Sequence, residues 1–336
     1  MPQSLILGGD ALARGVRSEF LDVYQQQYKV IEGRLANIAK LSTPSDKLEE
    51  LYVHFDTAPY PKRVDRGQSN RTENFRSYGY SVRNYEFQDG VEWYYTDEDD
   101  DQTGGGILGR AQQAGGNFAT LKERLIFQVM TSTTDNELLP AIPTAPDGAA
   151  LYSATTGTGA NRFGVSGGNI TSGSGVASVA AIQSDVYGAI VRMGSFRDTK
   201  GQPLLNPSAL QNFTIVYNVA NDKVVRQAFE QSLIFQSASS GTDFAAAAPS
   251  NFLRDFSGLT FTLYPSLRVT GDDLHVFCGD VNTQPIFVQD RMPLTSFFYG
   301  MDNDSGMGRI RTKRMDFLCR HGVGVTEPYA TVLIDN

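Results

Sequence analysis

Two glycine-rich motifs in this chain have the spacing of sites that do chemistry. Gly104-Gly105-Gly106-Ile107-Leu108-Gly109 fits the G-x-G-x-x-G pattern, which lets a backbone approach a pyrophosphate where a helix begins. Gly164-Val165-Ser166-Gly167-Gly168 fits G-x-S-x-G, which holds a nucleophilic serine on a tight strand-to-helix turn. Each pattern works only in its context. The first needs a buried parallel strand before it and an acidic residue at the end of the next strand. Here the preceding segment is half-exposed and aromatic, and the acidic run Asp97-Glu98-Asp99-Asp100-Asp101 stands where it would repel a pyrophosphate. Glu123 lies at a suitable distance but inside a predicted helix. Ser166 sits in a stretch of Gly, Ser, Thr and Asn, with no strand, helix or positioned base beside it. The first motif therefore reads as a flexible link into a helix and the second as a surface loop.

The remaining reactive residue types do not cluster. His54, His275 and His321 are far apart and lack metal-ligand spacing. Cys278 and Cys319 lie 41 positions apart, outside any CxxC or Cys/His group, and read as two free buried thiols. The run Asp97–Asp101 lacks the spacing and glycine of a calcium loop and reads as a solvated or interface-facing charge cluster. Arg309, Arg311, Lys313 and Arg314 spread along a predicted strand as a solvated face. Asn169-Ile170-Thr171 is a glycosylation sequon, which matters only after secretion. No catalytic residue, cofactor or metal is expected.

Composition agrees. Hydrophobic residues make up 40% of the chain and charged ones 20%, an ordinary globular balance. The net charge of −8 argues against tight phosphate binding, so any contact with DNA is expected to be non-specific. No run approaches the roughly 18 apolar residues of a membrane span. The start, Met1 to Gly8, lacks the charged region of a secretory signal.

These residues must be carried by a mixed set of elements. Leu12, Val16, Phe20, Val23 and Tyr24 recur at helical spacing and predict a helix followed by a looser arm over 10–39. A second stripe, Phe118, Leu121, Leu125, Ile126 and Val129, predicts a long helix over 107–132, with Gly115-Gly116 as a weak point that bends it. Further helices are predicted over 177–193 and 220–235. Strands are predicted at 213–217, 259–264, 274–278 and 285–289. Two more strands over 309–334 are joined near Gly322–Gly324. The segment 140–175 reads as surface loop or short strands. The sharpest local signal is an aromatic hairpin over 75–96, turning at Gln88-Asp89-Gly90. That register pairs Phe87 with Val91 and Tyr85 with Trp93 on one face, and puts Gly90 in the left-handed position of the turn. The sum is an α+β chain with helices and antiparallel strands segregated.

The order of these segments resembles the major head subunit family of Mu-like phages. The resemblance is carried by Gly79-Tyr80-Ser81-Val82, Phe87, the acidic break, the glycine turn and the helix with Glu123-Arg124-Leu125-Ile126-Phe127. Asp147-Gly148 with Leu151-Tyr152, Gly201-Gln202-Pro203-Leu204, and Pro285 to Arg291 continue it. The family's usual histidine after the first of these is replaced here by Thr155-Thr156. The resemblance implies the Hong Kong-97-like capsid fold: N-terminal arm, extended β-hairpin loop, long spine helix, peripheral domain and axial domain. On this chain it implies an arm over 1–50 and an extended loop over 51–103. The spine helix and first part of the peripheral domain would span 104–175. The axial domain would span 176–300, and the C-terminal peripheral strands 301–336.

The implied function is that of a tailed-phage major capsid protein, not an enzyme, found in the virion and in the host cytoplasm during assembly. Copies form the pentamers and hexamers of an icosahedral head around double-stranded DNA. The implied partners are a separate scaffold and protease, a portal and a decoration protein, with no membrane. Tyr85, Phe87, Asp89, Gly90 and Trp93 become candidate intersubunit contacts. Gly104, Gly105, Gly106, Gly115 and Gly116 become candidate hinges, and Lys40, Lys47 and Lys62 are cross-linking candidates by type. The alternative from another class is a β-rich decoration protein or adhesin, which predicts an exported, disulfide-stabilised chain.

Overall fold

A computed structural model describes residues 9–55, 77–94, 96, 105–205, 210–230, 258–279, 284–300 and 312–336. The acidic run 97–101, Gly104, Lys62, Arg309 and Arg311 lie outside these residues.

The first helix, α1 (Gly9–Leu35), buries the predicted stripe: Val16 and Phe20 are fully enclosed. The spine stripe forms α2 (Gly106–Ala119) and α3 (Leu121–Thr131), separated only at Thr120, which keeps right-handed helical angles. The break falls there and not at Gly115-Gly116, which lie inside α2. The glycines serve contact instead of bending. A Cβ on Gly115 would stand 2.5 Å from the Phe20 carbonyl oxygen of α1, so only glycine allows this approach. Gly115→Ala should therefore cost about 1–3 kcal/mol through overpacking. Gly109→Ala, where a Cβ meets nothing within 4 Å, should gain about 0.5–1 kcal/mol. Thermal melts of the two variants should move in opposite directions; equal shifts would sink the close-packing account.

Two sheets flank the spine. The first has the order β1-β9-β10-β4, built from β1 (Ala39–Pro44), β4 (Tyr85–Tyr94), β9 (Ile286–Tyr299) and β10 (Thr312–Val325). The second has the order β5-β11-β8-β6-β7. Its strands are β5 (Ile170–Ser172), β6 (Asn212–Asn218), β7 (Thr260–Ser266), β8 (Leu274–Cys278) and β11 (Thr331–Asp335). A two-stranded ribbon stands apart, β2 (Glu49–Phe55) antiparallel to β3 (Ser77–Arg83).

Continuous apolar runs in β6 and β8 signal burial on both faces. Ile215 and Val276 meet helices α4 (Val179–Ser195) and α5 (Asp222–Glu230) in one core, while Val216 and Phe277 join the spine-side core. In β9 the register against β10 slips around Pro293, which has no N–H to give the ladder.

Several sequence expectations are corrected here. No hairpin turns at Asp89-Gly90. β4 runs straight through them, with Asp89 opposite Phe317 and Gly90 opposite Asp316 of β10. Gly90 is needed for closeness: a Cβ there would stand 3.2 Å from the Met315 carbonyl oxygen and collide with the Asp316 side chain. In place of a hairpin over 75–96, Ser77–Arg83 pairs with Glu49–Phe55, a ribbon that falls almost wholly within the 51–103 expected for the extended loop. Gly322 and Gly324 lie inside β10, where Arg83 and Phe287 press on them, and the strands join instead through 326–330. Sheet membership cuts across the expected segments. β9 belongs to the first sheet although it lies within 176–300, and β11 to the second although it lies within 301–336. Long-range pairing decides both memberships.

Candidate assembly interface

Among the described residues the enzyme-like motifs stand apart from groups that could activate them. Gly105 and Gly106 begin α2, but among the described residues the last strand before them is antiparallel and at the edge of its sheet, not a buried parallel one. Ser166 is exposed in a loop, where its carbonyl oxygen accepts from Arg192. The two described histidine side chains are engaged elsewhere: His275 Nδ1 lies 3.1 Å from the Tyr152 hydroxyl and His321 Nδ1 lies 2.8 Å from Asp290. Asn169 of the sequon is fully buried and donates to the carbonyl oxygens of Leu151, Pro328 and Thr331, so it is no sugar acceptor. Among the described residues no group of three or more His, Cys, Asp or Glu could hold a metal ion. Both cysteines are free and buried.

Sequence reasoning missed two buried ionic joints. Arg162 is fully buried and donates through Nε and Nη2 to both carboxylate oxygens of Asp147, at 2.6 and 3.0 Å. Its Nη1 donates to the carbonyl oxygens of Ala150 and Leu151, which staples the 145–170 loop. The second joint is Lys122, on the spine, which donates to Asp290 at 2.9 Å and to the Leu41 carbonyl oxygen at 2.8 Å. Burial works against charge on Asp290, but His321 and the Lys122 ammonium outweigh it and hold the carboxyl at about 2. No local pattern announces either joint, because the partners lie 15 and 168 positions apart.

Burial depresses both histidines: His275 drops to about 4, and His321 is lowered although Asp290 pulls it up. An unfolded histidine takes its proton near pH 6.5. Each site therefore contributes stability that is complete above that pH and lost as pH falls toward the folded value. The slope is about 1.4 kcal/mol per pH unit for His275 between the two values. Urea midpoints should fall steadily from pH 7 to pH 5, and less steeply in His275→Gln. A flat profile would contradict the neutral buried state.

The candidate contact residues divide. Phe87 and Trp93 are 9% and 2% exposed, and with Val91 they pack into the core beneath the sheet. Tyr85 is half-buried against the same core. The sequence placed these four on one face correctly, but the face meets the chain's own core. Phe87 and Trp93 are thereby removed as intersubunit contacts. Asp89 and Gly90 remain exposed. They line a 320 Å³ cleft between residues 89–92 of β4 and Arg110, Gln113, Ala114 and Asn117 of α2.

The ribbon is the second accessible feature. Its root is locked: buried Asn84 donates to Ser45 Oγ and the Lys47 carbonyl oxygen, both at 2.8 Å. Tyr52 donates to Gln289 at 2.8 Å, and Gln289 donates to the Val82 carbonyl oxygen at 2.9 Å. The opposite face carries Leu51 and Val53, 71% and 53% exposed, across from Ser81 and Gly79. A two-stranded ribbon is marginal alone in water, and this one leaves apolar side chains outside.

No family model matches the sequence. No curated protein matches it either. Solved structures do match the fold. The capsid of a native GTA particle aligns with a TM-score of 0.55 and 12% identity, over 90% of this chain and 89% of that one. The mature capsid of bacteriophage PhiM1 aligns at 0.53 and 12% identity, over 89% and 85%. A virus-like particle from Pyrococcus furiosus aligns at 0.50 and 12% identity, over 95% and 97%. The chain therefore has the Hong Kong-97-like capsid fold.

Proposed function

We propose that this chain is a shell-building subunit, the major capsid protein of a tailed bacteriophage head of the Mu-like kind. The observation that carries the reading is the ribbon: locked to the body at its root by Asn84 and Gln289, it exposes Leu51 and Val53 beyond it. A neighbouring copy is the natural cover for that face. The fold, shared with capsid subunits, supports this choice. The first-sheet body with the spine then acts as the peripheral domain and the second-sheet body as the axial domain. Gly105 and Gly106, at the start of the spine, are hinges between subunit shapes in pentamers and hexamers. The subunit is not an enzyme. It works in the virion after assembly in the host cytoplasm, with scaffold, portal and decoration proteins as partners.

Negative-stain electron microscopy of the purified full chain tests the reading. Rings, tubes or shells are the expected result. Monomers that persist at high concentration, alone and with the neighbouring head proteins of the same genome, would overturn it.

A further inference from the structure

We infer that the free half of β9 is a docking edge for a second copy of this chain, the two strands pairing antiparallel about a two-fold axis at Phe297. The inference rests on the shell reading and adds to it a strand-to-strand contact that joins two sheets.

β9 has two unlike halves. From Ile286 to Asp290 it lies between β1 and β10. β1 ends at Pro44, opposite Asp290. From Arg291 to Tyr299 the strand therefore has β10 on one side and, among the described residues, no strand on the other. Alternate residues of an antiparallel strand turn their N–H and C=O groups away from the partner. Along this half those groups face an open edge, which is a template for another strand.

Natural proteins blunt such edges with charge or proline. Here Arg291 and Pro293 guard only the start. The residues that follow, Leu294 to Tyr299, include neither a charge nor a proline. Phe297, Phe298 and Tyr299 are 45%, 38% and 40% exposed. The other edge of the sheet is the contrast. β4 bears Glu86, Asp89 and Glu92, all exposed, and like charges opposed across two strands repel. In a chain of net charge −8, two copies approach most easily where neither brings charge. A neutral aromatic edge fits a second neutral aromatic edge, and every copy of this chain supplies one.

The register follows from symmetry. A two-fold axis through an antiparallel pair keeps each face of the joined sheet continuous, so every residue meets one from its own face. With the axis at Phe297, that ring faces its own mate, Thr295 meets Tyr299, and Ser296 meets Phe298. Phe297 and Tyr299 share a face with Asp316 and Arg314, while Ser296 lies beside Phe317 and Phe298 beside Met315. Each aromatic ring then pairs with its twin or with a hydroxyl-bearing residue across the strands. Moving the axis to Ser296 would set Pro293, which has no N–H, against Tyr299. One short strand from each copy falls below the roughly 1,200 Å² of a stable interface, so other shell contacts must hold the copies while this edge pairs.

Disulfide trapping in the full chain, assembled and free, tests this. Directly opposed residues of an antiparallel pair have Cα atoms about 4.5–5.5 Å apart, inside the roughly 4.4–6.8 Å span of a disulfide. Both native cysteines are buried, so Phe297→Cys reports on the edge alone. Mild oxidation should give covalent dimers on a non-reducing gel. Thr295→Cys should give none, since its mate lies about 14 Å along the pair. Adding Tyr299→Cys to it should restore the dimers, and this double variant also serves if Phe297→Cys fails to fold. Particles without these dimers, or with as many from Thr295→Cys alone, overturn the pairing and leave the shell reading standing. Register-specific dimers from a chain that never forms particles support the pairing and overturn the shell reading. Neither particles nor dimers overturns both.

Discussion

Trp93→Ala is expected to lower the stability of the subunit by about 3–5 kcal/mol, the cost of emptying a large aromatic site in a packed core. Trp93 is 2% exposed, stacks on Phe298 with ring centroids 6.3 Å apart, and shares its cluster with Phe87 and Val91. Small domains hold only about 5–15 kcal/mol in all, so the loss is a large fraction of the whole. Urea unfolding at pH 7 should show the midpoint falling well below that of the wild type. Adding Phe87→Ala should lower it further but by less than the single changes add, because both residues line one cavity. The sequence alone would have had this pair leave a soluble, assembly-defective subunit. Burial predicts a poorly folded one instead. A midpoint change worth less than about 1 kcal/mol would mean that the ring is not in the core.

The largest effect on assembly is expected from Leu51→Asp with Val53→Asp. Both side chains are exposed on the ribbon, 71% and 53%, so the fold should lose no more than about 1 kcal/mol. Particle formation should disappear. Covering one such side chain contributes about 1.5–3 kcal/mol, and in a shell every copy repeats the contact. Two carboxylates on that face replace apolar burial with an uncompensated desolvation cost. Sedimentation and microscopy should find dispersed subunits with a wild-type melting temperature. Normal shells would take the ribbon out of the assembly mechanism. The two variants together separate folding from association: the first acts inside the chain and the second between copies.

Much of the fold was legible because it follows from periodicity. The helix that opens 10–39 appears as Gly9–Leu35 and the spine over 107–132 as Gly106–Thr131, broken only at Thr120. The strand at 274–278 appears with those bounds. The face shared by Tyr85, Phe87, Val91 and Trp93 was also right, since alternation along a strand holds whatever the strand pairs with. Asp89-Gly90 misled because the same dipeptide suits a tight turn and a crowded strand. What decided between them was β10, more than two hundred positions away, whose Asp316 and Met315 leave no room for a Cβ. The candidate interface suffered the same ambiguity. Of its five residues Asp89 and Gly90 are exposed, Tyr85 is half-buried, and Phe87 and Trp93 lie in the chain's own core, because an apolar residue on a strand reads alike whether it faces a core or a neighbour.

By itself, then, the sequence determined the helices, most strands and the inward face of β4. All of these depend on spacing along the chain or on immediate neighbours. Tertiary structure alone decided that β4 pairs with β10, that Gly115 and Gly90 exist for close approach, and that Arg162 and Lys122 are buried with their carboxylates. Those outcomes depend on which distant segment arrives, and a local pattern carries no record of its partner. The cleft between β4 and the spine helix is of the second kind, since it forms only where the two meet.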